Sequence, residues 1–315
     1  MMRKDGFSRC AERYIGRLRG EGRHATAHVY ESTLRSFTRF CGVSGVSFNQ
    51  ITRDRLRHYE RYLYECGLKP NTVSTYMRML RSIYNRGVES GNANYVPLLF
   101  HEVYTGVAVR QKKALPVGEL HRLLYEDPGT ERLRRTQSVA GLMFQFCGMS
   151  FADFAHLEKT ALEQNILHYN RIKTKTPMCV EILDTARDTI KSLRNRLPPQ
   201  PGCPDYLFDI LCGDKPRKDV RSYREYQSAL RNFNNSLKSL ARTLKLSSHV
   251  TSYTLRHSWA TTAKYRGVPV EMISESLGHT SIKTTQTYLK GFELRDRTEV
   301  NRKNLFYVKN YFVTK

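Results

Sequence analysis

From residue 25 onward, apolar positions recur every three to four residues, and this spacing predicts a series of helices. In ATAHVYESTLRSFTRFCG, Val29, Leu34, Phe37 and Phe40 share one side of a helix that Gly42 closes. In TRDRLRHYERYLYECG, Leu56, Tyr59, Leu63 and Cys66 form one face, and Arg53, Arg57 and Arg61 recur every four residues on another. KPNTVSTYMRMLRSIYNRG carries Val73, Tyr76, Met77, Leu80, Ile83 and Tyr84 at helical spacing, with Asn71 as the expected N-cap and Arg78 and Arg81 off the stripe. The first hundred residues therefore predict a small helical bundle with an arginine-bearing surface.

The pattern lapses between residues 100 and 115. YTGVAVRQKKALP is polar, basic and without a clear period, which marks a domain boundary placed after residue 108. Helical periodicity returns at VGELHRLLYE, at RTQSVAGLMFQFCG and at SFADFAHLEKTALEQ. The period then changes. Leu167 and Tyr169, and after them Met178, Val180 and Ile182, alternate around a Lys/Thr/Pro turn, which predicts a β-hairpin. A helix is expected over DTARDTIKSLRNRL and a Pro/Gly/Cys loop over 198–216. Further helices are expected near 222–246, 254–266, 269–277 and 281–288. The fold class is mainly α with a small β-hairpin or sheet, in two domains, 1–108 and 109–315.

Charge narrows the partner. The 315 residues carry a net charge of +23. Residues 1–110 contribute +9 of this and the remainder +14, so both halves face the same kind of partner. A polyanion is implied, with nucleic acid first. Nearly all the basic residues of the first half are arginines, the side chain suited to bidentate phosphate contacts. Arg53, Arg57, Arg61, Arg78 and Arg81 are the expected DNA contacts, although any one of them can be an ordinary solvated charge. No apolar run approaches the roughly 20 residues of a membrane-spanning helix, so no membrane partner is expected. The opening stretch lacks the long apolar core of a secretion signal. The seven cysteines show neither a CxxC nor a zinc-ligand spacing, so no metal is expected and they read as reduced cytosolic thiols. The expected location is cytoplasmic and nucleoid-associated.

Candidate chemistry is concentrated in TSYTLRHSWATTAKYRGVPVEMISESLGHTSIKTTQTYL. It holds Arg256-His257, then Gly278-His279, then Tyr288 nine residues after that histidine. Singly, each has a bland reading: a helix-start arginine, a C-cap with a buried histidine, a packed tyrosine. Together and in this order they resemble the C-terminal signature of the tyrosine recombinase, or phage integrase, family. The resemblance extends to the whole chain. The N-terminal helices resemble the family's helical core-binding domain, and the rest resembles its α+β catalytic domain with a C-terminal tail.

The resemblance implies a reaction. Tyr288 attacks a DNA phosphodiester and forms a 3′-phosphotyrosyl link, which conserves the bond energy for rejoining without metal, nucleotide or other cofactor. Arg256 matches the family's second catalytic arginine and offsets the charge that develops on the phosphate. His279 donates to a phosphate oxygen or assists proton transfer. His257 is read as structural. In the family a lysine on a hairpin turn protonates the leaving 5′-oxygen; Lys173 and Lys175 both qualify, and the spacing to the following apolar positions favours Lys173.

Two positions depart from the family pattern. CGMSFADFAHL aligns with the box that normally carries the first arginine, so Ser150 stands where that arginine is expected and Asp153 takes the acidic place. Arg171 on the hairpin is one candidate replacement. Tyr253 stands where the family usually has histidine; a phenol can hydrogen-bond a phosphate but carries no positive charge. Both departures resemble the branch of the family found on mobile elements and invertible DNA of Bacteroidetes-type bacteria.

The expected function is site-specific recombination of double-stranded DNA by a homotetramer on two DNA sites, with an accessory DNA-bending protein as a further candidate partner. A binding protein that has lost cutting, and a type IB topoisomerase, are the alternatives. The tail after Tyr288, with Leu305, Phe306, Val308, Tyr311 and Phe312 in a basic setting, is expected either to dock on a neighbouring subunit or to fold onto its own domain.

Overall fold

The computed structural model describes residues 6–43, 45–108, 114–289 and 294–309, apart from the side chains of 287–288, 294–297, 300 and 307–309. The chain divides into two compact units. The first runs to Arg110 and also includes Lys215–Glu225; the second comprises Gln111–Asp214 and Tyr226–Lys315.

Among the described residues, the α-helices lying wholly in the first unit are α1 (Phe7–Gly20), α2 (His24–Cys41), α3 (Arg53–Glu65) and α4 (Pro70–Glu89). The predicted stripes turn inward, except that Cys66 follows the end of α3 and is exposed. Phe37, Leu56, Tyr59, Leu63, Val73, Met77, Leu80 and Ile83 are buried in one core with Phe7 and Leu18 of α1. Buried Tyr59 keeps its hydroxyl satisfied by donating to Ser36 Oγ at 2.8 Å. Thr52 caps α3 by accepting from Arg55 N, and α2 ends at left-handed Gly42.

One expectation fails here. Asn71 does not cap α4. Lys69 is the N-cap and Pro70 takes the first helical position, where its fixed φ fits and its missing N–H costs nothing. The Asn71 side chain instead pairs with the backbone of Ala108, accepting from its N–H at 2.8 Å and donating to its carbonyl at 2.9 Å.

The second unit packs helices against a small antiparallel sheet. Its helices are α5 (Val117–Tyr125), α6 (Glu131–Gln145), α7 (Phe151–Ala155), α8 (Asp184–Leu193), α9 (Val220–Thr243, from Tyr226 onward), α10 (Ser252–Tyr265), α11 (Val270–Ser276), α12 (Ile282–Tyr288) and α13 (Leu294–Lys309). The predicted hairpin is β2 (Ile166–Asn170) with β3 (Pro177–Glu181), and a short β1 (Leu162–Glu163) extends it in the order β1-β2-β3. Leu167 pairs with Val180, which sets both on the core side, while His168 pairs with Cys179 on the exposed side.

The helix expected over 150–164 stops at Ala155. Leu157 gives its carbonyl to Leu207 N at 2.7 Å, and Lys159 N donates to Asp205 O at 2.9 Å. Backbone groups that would continue the helix are spent on this bridge to the 198–216 segment. That segment, expected to be a plain loop, sends Tyr206, Leu207, Phe208 and Leu211 into the core; Phe154 and Phe208 stack at 4.4 Å. Among the described residues, no helix is long and apolar enough to cross a membrane.

Candidate active site

The site forms where α10, the α6–α7 corner, the β2–β3 turn and the α11–α12 corner meet. Arg256 is the fifth residue of α10, which starts at a capping box made by Thr251 and Thr254. Only 3% of its surface is exposed. Its Nη1 donates to Gly148 O at 3.0 Å, and its Nη2 to Leu277 O. The same Nη2 lies 3.5 Å from His279 Nε2. His279 Nδ1 is 2.8 Å from Thr285 Oγ1, on the helix that Tyr288 closes. The side chain of Tyr288 lies outside the described residues.

Arg171 enters from the end of β2 and is also buried. Its Nη1 donates to Leu277 O and Gly278 O, both at 2.9 Å, and its Nε to Asp153 Oδ2 at 3.5 Å. Its Nη2 makes no hydrogen bond with any described residue. Two guanidinium groups thus share the Leu277 carbonyl, and buried Asp153 is the carboxylate that faces Arg171. Burial together with the Asp153 charge pushes the phenol of Tyr169, on β2, well above its usual range; Arg256 and Arg171 oppose that shift more weakly.

Ser150 has a role of its own. It caps α7 by accepting from Asp153 N at 3.2 Å and donates its hydroxyl to Asp153 Oδ2 at 2.7 Å. Asp153 Oδ1 in turn accepts from Ile172 N at 2.8 Å. The serine in the position of an arginine therefore orients the carboxylate that holds the β2–β3 turn and Arg171.

Two glycines make this corner possible. Gly278 has φ +60°, and a Cβ there would lie 2.5 Å from Arg171 Cδ and 2.6 Å from Met178 Sδ. Gly148 has φ +65°, and a Cβ there would lie 3.2 Å from Arg256 Cα. Each lets a backbone carbonyl come within reach of a guanidinium.

Lys173 and Lys175 are exposed on the turn between β2 and β3, closed by Lys175 N to Arg171 O at 2.8 Å; Lys175 takes φ +60°. Tyr253 is half-exposed on α10, with its ring edge-on to buried His257 at 4.7 Å. In the first unit, Arg61 and Arg81 are exposed. Arg53 donates to Pro97 O at 2.6 Å, and Arg78 contacts Ser74 O and Thr75 Oγ1, each at 3.4 Å. Arg57 is paired with Asp54 at 2.5 Å and Glu102 at 3.1 Å, so a phosphate there competes with two carboxylates. Thr285, Gly148 and the Leu277 carbonyl were not singled out from sequence; Thr285 is an ordinary helical threonine until the fold sets it under His279.

Residues 6–103 match the phage integrase SAM-like domain, and residues 116–294 match the phage integrase family. The chain belongs to the phage integrase family. Tyrosine recombinase XerD of Listeria monocytogenes is 24% identical over 277 residues, 86% of this chain and 89% of the relative. Tyrosine recombinase XerC of Chromohalobacter salexigens is 25% identical over 287 residues, 89% and 90% of the two chains. The integrase is similar in fold to the Tn1549 transposon integrase solved with a circular intermediate DNA, with a TM-score of 0.66 at 14% identity over 95% of this chain and 99% of that one. It is similar also to a lambda integrase dimer bound to a core site, with a TM-score of 0.62 at 14% identity over 90% and 79%. As a tyrosine recombinase it is a DNA breaking-and-rejoining enzyme.

Proposed function

We propose that this integrase cuts and rejoins duplex DNA at specific sites through a 3′-phosphotyrosyl link to Tyr288, with Arg171 serving in place of the arginine missing at Ser150. The observation that carries this reading is the shared Leu277 carbonyl, which sets the Arg171 and Arg256 guanidiniums side by side next to His279. A phosphate drawn to this cluster meets fixed cationic donors in a buried setting, where they stabilise developing charge better than they would in water. The Nη2 of Arg171, which bonds to no described residue, supplies one donor. His279, through Nε2, takes up the tyrosine proton. Lys173, exposed at the turn, protonates the departing 5′-oxygen, and Lys175 is its alternate. Tyr253, at the mouth of α10, is positioned for a further phosphate hydrogen bond.

In this reading residues 1–108 form the core-binding domain, and Arg53, Arg61, Arg78 and Arg81, with Arg57 once released from its carboxylates, follow the DNA backbone. Residues 109–315 form the catalytic domain. A tetramer on two sites is the working assembly, by likeness to a lambda integrase tetramer solved on a Holliday junction. The tail supports it: Leu305 and Phe306 of α13 are 63% and 71% exposed, as suits a helix that docks on a neighbouring copy. Val308 has its side chain outside the described residues, as Tyr311 and Phe312 are altogether. The enzyme works on nucleoid DNA in the cytoplasm, with a DNA-bending protein as its accessory partner.

Covalent trapping tests the reading. The protein is incubated with labelled duplex fragments from its own genomic neighbourhood, nicked so that the cleaved end diffuses away, and run on denaturing gels beside Tyr288→Phe. A labelled protein–DNA band that requires Tyr288 is expected. Specific binding on native gels with no covalent band would instead establish the binding-only alternative. Relaxation of supercoiled DNA without strand exchange between two sites would establish the topoisomerase one.

A further inference from the structure

We propose that Thr285 is a positioning residue for the reaction: it fixes the ring and the tautomer of His279 and ties that ring to the helix that ends in Tyr288. The inference rests on the recombinase reading above for its catalytic consequence, but its structural part stands by itself.

The argument is one of donors and acceptors. A guanidinium only donates. Arg256 Nη2 lies 3.5 Å from His279 Nε2, so that nitrogen presents its lone pair to the arginine. A neutral imidazole with Nε2 unprotonated carries its proton on Nδ1. The group facing Nδ1 is Thr285 Oγ1 at 2.8 Å, which therefore accepts from Nδ1–H. Thr285 is completely buried, so water does not substitute for it. The backbone of this corner is fixed as well. His279 N donates to Ser274 O at 3.0 Å, and Thr285 O accepts from Leu289 N at 2.8 Å across the end of α12. Thr285 stands three residues before Tyr288 in that helix. A displacement of α12 is thereby transmitted to the ring that faces Arg256. Partners that hold the far nitrogen of a working histidine set its tautomer and orientation, and their loss weakens its function without removing it.

The test uses the whole protein and two variants, Thr285→Val, which keeps the volume and removes the acceptor, and Thr285→Ser, which keeps the acceptor. The tautomer is read directly from the imidazole 15N resonances of histidine-labelled protein, with His279 assigned by His279→Gln. Wild type and Thr285→Ser are expected to show the proton on Nδ1, and Thr285→Val a mixture of tautomers. In the covalent-trapping assay Thr285→Val is expected to lose about 10- to 100-fold in rate, Thr285→Ser to recover most of that loss, and Thr285→Val to cost nothing further when His279 is already alanine. A proton on Nε2 in the wild type, a tautomer unmoved by valine, or an equal valine loss without His279 would overturn the proposal. Wild-type protein that shows the expected tautomer but forms no Tyr288-dependent adduct would overturn the recombinase reading and the catalytic role of Thr285, and leave the contact itself established.

Discussion

Arg171 and Arg256, eighty-five positions apart in the chain, donate to a single acceptor, the carbonyl oxygen of Leu277. Two buried like charges repel, and Asp153 with a few carbonyl dipoles is what the fold supplies against that repulsion. In the proposed reading a phosphodiester brings the negative charge that completes the balance. In that reading the pairing also stands in for an arginine at position 150, with the second guanidinium arriving from the end of β2 instead of from the α6–α7 corner.

Replacing Arg171 by lysine keeps a positive charge but loses the planar fork. The rate of covalent adduct formation on nicked duplex is expected to fall about 100- to 1,000-fold, the usual cost of one transition-state donor, with native-gel binding nearly unchanged. An unchanged rate would assign the role to another group.

Asp153→Asn removes the carboxylate beneath Arg171 and leaves a buried guanidinium uncompensated. A loss of about 3 kcal/mol is expected, read as a lower urea midpoint. If the midpoint does not move, the Arg171–Asp153 pair is not what holds this corner.

Gly278→Ala tests the close approach. Its φ is +60° and the new Cβ would sit 2.5 Å from Arg171 Cδ. A loss of more than about 1 kcal/mol is expected, together with lost cleavage, because Arg171 must move. Full activity in this variant would show that the site tolerates a displaced Arg171.

Acid sensitivity is expected at α5. Ser247 donates its N–H at 3.0 Å and its hydroxyl at 2.5 Å to Glu119 Oε1, and hydrogen bonds from Ser247 and Ser248 hold the carboxyl below its ordinary value of 4.5. The folded state thus favours the ionised form. Its contribution is complete above the unfolded pKa and is lost as the pH falls through the lower folded value. The stability advantage of wild type over Glu119→Gln should be present at neutral pH and vanish in acid. Urea midpoints at the two pH values check this, and an advantage that grows in acid would reverse the assignment.

The chain by itself determined the parts whose signal is local or repeated. The three- to four-residue apolar spacing fixed α2, α3 and α4, because one buried stripe is enough to select a helix whatever it packs against. The switch to alternation located β2 and β3 for the same reason. The order of Arg256, Gly278-His279 and Tyr288 indicated the family and the chemistry, since each residue type there answers a need of phosphoryl transfer. Tertiary structure alone decided what depends on contacts between distant segments. Residues 156–161 leave the helix because the backbone of 205–207 takes their hydrogen bonds. Asn71 faces Ala108 because Pro70 starts the helix two positions earlier than expected. Ser150 reads as a missing arginine until the fold shows it orienting Asp153, and Arg171 is only one candidate replacement until its guanidinium is found beside Arg256. Thr285 carries no signal in sequence at all: its hydroxyl gains the proposed role only when folding buries it against the ring of His279.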